Sequence, residues 1–236
     1  MKRYWIFRIA ILALLTAGES RAGVIYSNDF ESDATGFSQT SRVVLSAGAS
    51  GSPTSTFLGR FSNDSVTLNL AGLTTGAVYS VQFDLFIGAT WDGDYLGWGG
   101  PDVWKLTAGA ETLVDAFFSN GTGADDRQSY SDATPVGLGL HAGRTGADVS
   151  SVSGAASDQF TIYYFGHGAG NPTLTFTATG ATVDLTFAGV GLQGVGDEYW
   201  AIDNVTVAGV TAAVPEPASL AMLALGGLAA GLAARR

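Results

Sequence analysis

The chain has 236 residues, 33 of them glycine and none of them cysteine, with 11 basic and 21 acidic side chains. Without cysteine it can form neither a disulfide framework nor a thiolate metal site. So few basic residues argue against binding to nucleic acid or to an anionic membrane surface, because both need clustered Lys or Arg. Asp-rich loops suit Ca²⁺, although surface acids also serve solubility alone.

Residues 1–22 have the layout of a secretory signal peptide. Lys2, Arg3 and Arg8 form a basic start, an apolar run follows from Ile9 to Ala17, and Ser20-Arg21-Ala22 is a small-x-small cleavage site. The apolar run is too short to cross a bilayer as an uncleaved anchor. We therefore predict an N-terminal signal helix that signal peptidase removes after Ala22.

Residues 23–210 are predicted to form one all-β domain. Apolar residues alternate with polar ones over 66–70, 79–87 and 183–187, which places one face of each strand on a core. Glycine-rich turn clusters such as 48–53 and 166–172 separate the runs. We predict about ten antiparallel strands in a two-sheet β-sandwich, a jelly roll, with 119–157 as an insertion or extended loop.

Four acids are candidate calcium ligands. In a jelly roll the first and last strands commonly lie side by side, which would bring Glu31 near Asp203, and two close carboxylates repel unless a cation or a proton intervenes. Asp92 and Asp94 flank Gly93, whose freedom would let both side chains turn toward one ion. Each pair also has a simpler explanation, because Asp203 could brace a turn and Asp-Gly is a common tight-turn pair.

Two tryptophans of one glycine-rich loop, Trp91 and Trp98, are candidates for stacking against sugar rings. Trp104 and Trp200 lie in alternating runs instead, which favours places in the core. The predicted ligand-binding set is therefore Trp91, Asp92, Asp94 and Trp98.

Catalysis is not expected. The domain has three glutamates, Glu31, Glu111 and Glu198. Glu198 and Asp203 are five residues apart on one predicted strand, so their side chains face opposite sides and do not form the carboxylate pair of a glycosidase. No Gly-x-Ser-x-Gly elbow is present. His167, in Gly-His-Gly, is expected to pack in a turn rather than to act as a base.

The C-terminal residues 211–236 form a separate segment. Pro215 and Pro217 interrupt any helix from upstream. The apolar stretch Ala218–Ala234, as a helix, would span roughly 26 Å, a little under the thickness of the hydrocarbon core. Arg235 and Arg236 would hold its end on the cytoplasmic side. A helix docked on the protein's own core is the alternative, but such a helix would normally have a polar face.

This tail resembles the PEP-CTERM sorting signal of exported bacterial proteins. Besides the apolar stretch, the residues that carry the resemblance are Pro215, Glu216, Pro217, Arg235 and Arg236. The resemblance implies that exosortase, a membrane transpeptidase-like enzyme, recognises and cuts the tail. It also implies transient membrane anchoring and delivery to the cell surface or the extracellular matrix.

Three stretches of the β domain resemble secreted jelly-roll domains of lectin-like and MAM-like appearance. They are Asn-Asp-Phe-Glu at 28–31, Trp-Asp-Gly followed by Gly-Pro-Asp-x-Trp within 91–104, and Asp-Glu-x-Trp-Ala-Ile-Asp-Asn-Val-x-Val at 197–207. The resemblance implies a structural calcium or a bound glycan, and it implies no single activity.

These observations predict an exported protein of the cell surface or extracellular matrix, with a structural or adhesive role. A carbohydrate-binding, lectin-like module is the alternative, and a polysaccharide-degrading enzyme is a weaker one. The expected partners are signal peptidase, exosortase, the membrane through the C-terminal segment and an extracellular polysaccharide, with no nucleic acid. The one expected cofactor is Ca²⁺.

Overall fold

The computed structural model describes residues 23–46, 54–94, 100–133, 135–136, 139–151 and 159–210. Within these ranges the chain forms fourteen strands and no helix, so no described helix could cross a bilayer. The predicted signal helix and C-terminal apolar helix lie outside the described residues. The strands are β1 (Val24–Asn28), β2 (Arg42–Ser46), β3 (Thr54–Phe61), β4 (Ser65–Ala71), β5 (Val78–Ala89), β6 (Val103–Ala108), β7 (Glu111–Phe117), β8 (Arg127–Gln128), β9 (His141–Ala142), β10 (Val149–Ser151), β11 (Phe160–Phe165), β12 (Leu174–Thr177), β13 (Thr182–Val190) and β14 (Glu198–Gly209).

Two main antiparallel sheets contain most of the strands, which confirms the predicted all-β, antiparallel class. The larger sheet has eight strands, with the order β10-β11-β5-β14-β3-β2; β1 also pairs with β14, and β12 with β5. The smaller sheet has the order β4-β13-β6-β7. The section 119–157, predicted to be poor in strands, contributes only the short strands β8, β9 and β10 among its described residues.

One hydrophobic core lies between the inner faces of the two sheets. Phe83 of β5 packs 5.6 Å from Trp104 of β6 and 5.5 Å from Phe187 of β13, measured between ring centroids. Trp104 also meets Trp200 of β14 edge to face at 6.1 Å. All four rings are fully buried, and each is worth about 1.5–3 kcal/mol or more of transfer free energy. The predicted core positions of Trp104 and Trp200 are therefore confirmed.

The outer face of the larger sheet has a second apolar cluster at one end. The ring of Phe86 stacks on Phe160 at 5.3 Å and on Tyr199 at 5.9 Å. The Arg60 guanidinium lies 4.4 Å above the centre of the Tyr199 ring. Strands β5 and β14 are therefore buried on both faces at this end, whereas Asp84, further along β5, begins a polar region of the same face.

Candidate metal centre

Three acids converge at one end of the β domain. Asp92 lies in the loop after β5, Asp102 directly precedes β6 and Glu198 is the first residue of β14. Glu198 pairs with Ala89, the last residue of β5, which places it beside the loop that begins at Thr90. The larger sheet thus supplies Glu198 and the loop with Asp92, and the strand β6 of the smaller sheet positions Asp102.

The geometry of these three carboxylates is compact. One oxygen from each of Asp92, Asp102 and Glu198 lies within 4.8 Å of the others. Asp102 and Glu198 are 0% exposed, and Asp92 is half-buried. Three acids this close repel one another if all are ionised, and burial increases the cost of each charge.

In each of the two buried carboxylates, hydrogen bonds satisfy only one of the two oxygens. The N–H of Asp92 donates to Asp102 Oδ2, and the N–H of Gln193 donates to Glu198 Oε2 at 2.5 Å. Asp102 Oδ1 and Glu198 Oε1 are buried and have no hydrogen-bond partner among the described residues. Buried carboxylate oxygens are rarely left unpaired in folded proteins, because the lost hydration must be replaced.

The electrostatics of the cluster favour a positive charge within it. Burial, together with the charges of Asp197 and Asp126, raises the pKa of Asp92 to about 6. Burial also raises the pKa of Asp102 and that of Glu198; the charge of Asp92 adds to both shifts, while the hydrogen bond with Glu198 opposes the shift of Asp102. A bound proton or a metal cation would relieve this repulsion.

Asp94, predicted to share an ion with Asp92, is not part of this group. Its Oδ2 accepts a hydrogen bond from Arg127 Nη2 at 2.7 Å in an ion pair. Gly93 between the two acids has a positive φ of 68°, and a side chain there would overlap the backbone carbonyl of Arg127. The tight turn therefore directs the two acids to different partners.

Glu31 and Asp203, predicted to be neighbours, are brought together at one serine. Strand β1 pairs with β14 as expected for first and last strands, and Ser55 Oγ lies 3.1 Å from Glu31 Oε1 and 2.6 Å from Asp203 Oδ2. Glu31 also accepts from Thr56 N–H at 2.8 Å, and Asp203 Oδ1 from Asn204 N–H at 2.7 Å. These donors are what a bracing role requires, and calcium at Glu31 and Asp203 stays a prediction.

Trp91 is a core residue, so the prediction that it stacks on sugar needs correction. Its side chain is 1% exposed, and its Nε1 donates to the carbonyl of Tyr199 at 3.1 Å. The backbone of the insertion covers the loop, because Asn120 N–H donates to the Trp91 carbonyl at 2.9 Å and Asp94 N–H donates to the Arg127 carbonyl at 3.1 Å. Trp98 lies outside the described residues.

Asp102 and Glu198 were absent from the predicted ligand set, although the sequence contains a signal for both. Each stands two residues before a tryptophan of an alternating run, Asp102 before Trp104 and Glu198 before Trp200. Positions i and i+2 of a strand share a face. Once both tryptophans are assigned to the core, the two acids must face inward with them.

A second polar group lies on the outer face of the larger sheet. His167 Nε2 lies 2.5 Å from Asp84 Oδ1, and Asn204 Nδ2 donates to Asp84 Oδ2 at 2.8 Å. The half-buried ring of Tyr164 stacks on His167 at 4.8 Å. Burial raises the pKa of Asp84, while its contacts with Asn204 and His167 oppose that shift. His167, predicted to be a turn residue, thus also contacts a buried acid.

The C-terminal residues match a known sorting signal. Residues 213–236 match the PEP-CTERM protein-sorting motif, which implies an exported protein with a C-terminal anchor region that exosortase processes during export. The predicted sorting residues, from Pro215 to Arg236, lie within this match. The match does not extend to the β domain, so it assigns no function to that domain.

Other comparisons do not assign the β domain. No curated protein matches the chain in sequence. The CBM22-1 and GH10 modules of the Clostridium thermocellum endo-1,4-β-D-xylanase 10B, complexed with xylohexaose, align at 11% identity over 79% of this chain and 28% of that one, with a TM-score of 0.35. The insecticidal delta-endotoxin Cry8Ea1 of Bacillus thuringiensis aligns at 13% identity over 64% and 19%, with a TM-score of 0.32. Both TM-scores lie below 0.5, so neither similarity indicates a shared function.

Proposed function

We propose that this chain is a non-catalytic, structural or adhesive protein of the cell surface or extracellular matrix, with a jelly-roll β domain that its tail anchors transiently in the membrane. The position of β14 is the observation that carries this proposal. Strand β14 ends at Gly209, and the sorting motif begins at residue 213. Any force on the tail is therefore transmitted to the domain through β14.

The backbone hydrogen bonds of β14 suit a domain that must resist a pulling force on its C-terminus. It pairs with β5 from Glu198 to Gly209 on one side, and with β3 and β1 on the other. Val210 N–H, just beyond the strand, also donates to the Val78 carbonyl at 2.8 Å. Antiparallel hydrogen bonds run perpendicular to the strands, so a pull along β14 strains many of them together. Attachment through a central strand is what an adhesive or structural domain needs.

Fractionation of the producing bacterium tests the proposed route and role. Wild type and Pro172→Ala, a proline control outside the tail, should be found on the surface or in the matrix without the tail, as judged by intact mass. The Pro215→Ala, Pro217→Ala double variant should stay full-length at the cytoplasmic membrane. A strain without the protein should lose surface attachment or matrix mass. Unchanged attachment and matrix mass in that strain would contradict a structural or adhesive role.

Carbohydrate binding is a second candidate, and the group at Asp84 favours it. The partly exposed rings of Tyr164 and His167 lie beside the Asp84 carboxylate and the Asn204 amide. Ring faces next to oriented polar groups are what a sugar needs for stacking and for hydrogen bonds to its hydroxyls.

Affinity electrophoresis in gels that contain the cell's own matrix polysaccharide tests this candidate. We expect the polysaccharide to retard wild type and His141→Ala, which removes the chain's other histidine. His167→Ala should lose at least about tenfold in affinity, of the order expected when a stacking ring is removed. Equal mobility of all three proteins with and without polysaccharide would exclude this face as a glycan site.

A further inference from the structure

We propose that Asp92, Asp102 and Glu198 form a calcium site that joins the two sheets at one end of the β domain. The site goes beyond the proposed surface role and does not depend on it. It also differs from the ligand set expected from sequence, because it includes two acids, Asp102 and Glu198, that were absent from that set.

The two unpartnered oxygens are the observation that distinguishes this cluster from an ordinary acidic surface. Asp102 Oδ1 and Glu198 Oε1 belong to side chains that are 0% exposed, and neither atom has a donor among the described residues while both carboxyls are ionised, so either a proton shared between the two acids or a cation must satisfy them. The group oxygens lie within 4.8 Å of one another, a spacing that one cation between them can bridge. The Glu31–Asp203 pair offers a comparison within the same chain, because hydrogen-bond donors there already satisfy the carboxylates.

The chemistry of the donors selects calcium. All three ligands are carboxylates, with no nitrogen or sulfur donor in the group. Oxygen-only sites favour hard cations, and calcium accepts six to eight oxygens in flexible geometry, so water or backbone carbonyls can complete the shell. Mg²⁺ demands a nearly ideal octahedron and dehydrates reluctantly. Asp126 and Asp197 add negative potential around Asp92. An affinity near those of extracellular calcium modules, about 10⁻⁴ to 10⁻³ M, is expected.

Calcium titration of the mature exported protein tests the proposal. The protein is stripped with EDTA, returned to constant ionic strength, and titrated with CaCl₂ by calorimetry while its Tm is recorded. Wild type should bind one equivalent, and at about 100 times Kd its folded-to-unfolded ratio should rise about 100-fold. Asp184→Asn is the charge-matched control, because Asp184 is an exposed acid of β13 bonded to Asn69, and it should behave as wild type.

Asp102→Asn and Glu198→Gln separate a metal site from a merely structural cluster. Each should weaken calcium binding at least about tenfold and abolish the calcium-dependent rise in Tm. In EDTA each should be at least as stable as wild type, because it removes one of several buried like charges. A wild-type Tm and binding isotherm that do not respond to calcium would overturn the proposal, as would unchanged calcium affinity in both variants.

Terbium luminescence provides a test on folded protein even if those two variants fail to fold. Tb³⁺ occupies calcium sites and emits when a nearby tryptophan is excited. Three buried tryptophans, Trp91, Trp104 and Trp200, stand one or two residues from the three acids, so folded wild type and Asp184→Asn should both show sensitised emission that CaCl₂ displaces. Absence of sensitised emission, or emission that CaCl₂ does not displace, would contradict the assignment.

Discussion

At the scale of single residues, the position of each buried acid follows from strand alternation combined with its neighbours. Asp102 and Glu198 face inward because each stands two residues from a core tryptophan, and this could have been predicted from the sequence. The separation of Asp92 from Asp94 could not. It depends on Arg127, which reaches Asp94 from a segment 33 residues further along the chain. No local pattern encodes that contact.

Asp203 should make the stability of the domain depend on pH. Burial raises its pKa to about 6, and the charges of Asp84 and Glu31 contribute in the same direction. The unfolded carboxyl ionises near its ordinary value of about 3.9, so between about pH 4 and 6 the folded state binds more protons than the unfolded state. The free energy of unfolding must therefore fall as pH rises through this window, by at most about 3 kcal/mol from this group.

Urea unfolding at pH 4.5 and pH 7.5 in EDTA measures this effect. Asp203→Asn removes the titrating group, so its stability relative to wild type should increase between the lower and the higher pH. Asp184→Asn, which removes an exposed acid, should follow the wild type at both values. If the Asp203→Asn and wild-type stabilities change in parallel with pH, the predicted proton uptake does not occur at Asp203.

At the scale of elements, β5 shows where alternation stops being informative. The pattern over 79–87 predicts a strand with one solvent-exposed face, and the burial of side chains does alternate over the first half of β5. From Phe83 onward every residue is buried, because His167 and Asn204 contact Asp84 on the outer face and aromatic rings pack on that face around Phe86. Such two-sided burial arises from β11 and β14 together. A sequence window of a single strand could not have predicted it.

Gly88 in this doubly buried half of β5 should tolerate no side chain. It pairs with Tyr199 of β14, whose ring lies across it, and the Cβ of an alanine would overlap that ring. Displacing Tyr199 would disturb its stack on Phe86 and its contact with Arg60. We expect Gly88→Ala to lower the free energy of unfolding by about 1–3 kcal/mol.

Thermal unfolding monitors this change, with a shift of about 2–4 °C in Tm expected for each kcal/mol in a domain of this size. Gly196→Ala is the matched control, because a Cβ at Gly196 meets no atom within 4 Å. Its free energy of unfolding should stay within about 0.5 kcal/mol of wild type. Equal Tm values for both variants would show that the Tyr199 ring can move aside without cost.

At the scale of the whole molecule, composition and alternation were sufficient for the class of fold but not for its strand count. The antiparallel all-β class and the pairing of β1 with β14 agree with expectation. The described part of the chain contains fourteen strands, whereas about ten were expected. Strands β8 and β9 have two residues each, which is too short for an alternating pattern to be recognised in the sequence. The burial of Trp91 escaped the sequence for a related reason, because its ring meets Phe118 and its Nε1 donates to the Tyr199 carbonyl, both distant along the chain.

The place of β14 between its partners also determines when the domain can be completed. A chain emerges from the export channel N-terminus first, so β1, β3 and β5 are outside before their common neighbour arrives. Until then the larger sheet lacks its central strand, and pairs such as Val24 with Ala208 must close almost the full length of the domain. The larger sheet therefore stays incomplete while the polypeptide is threaded through the membrane. It closes only when the residues just before the sorting segment appear, so final folding and arrival of the anchor become nearly the same event.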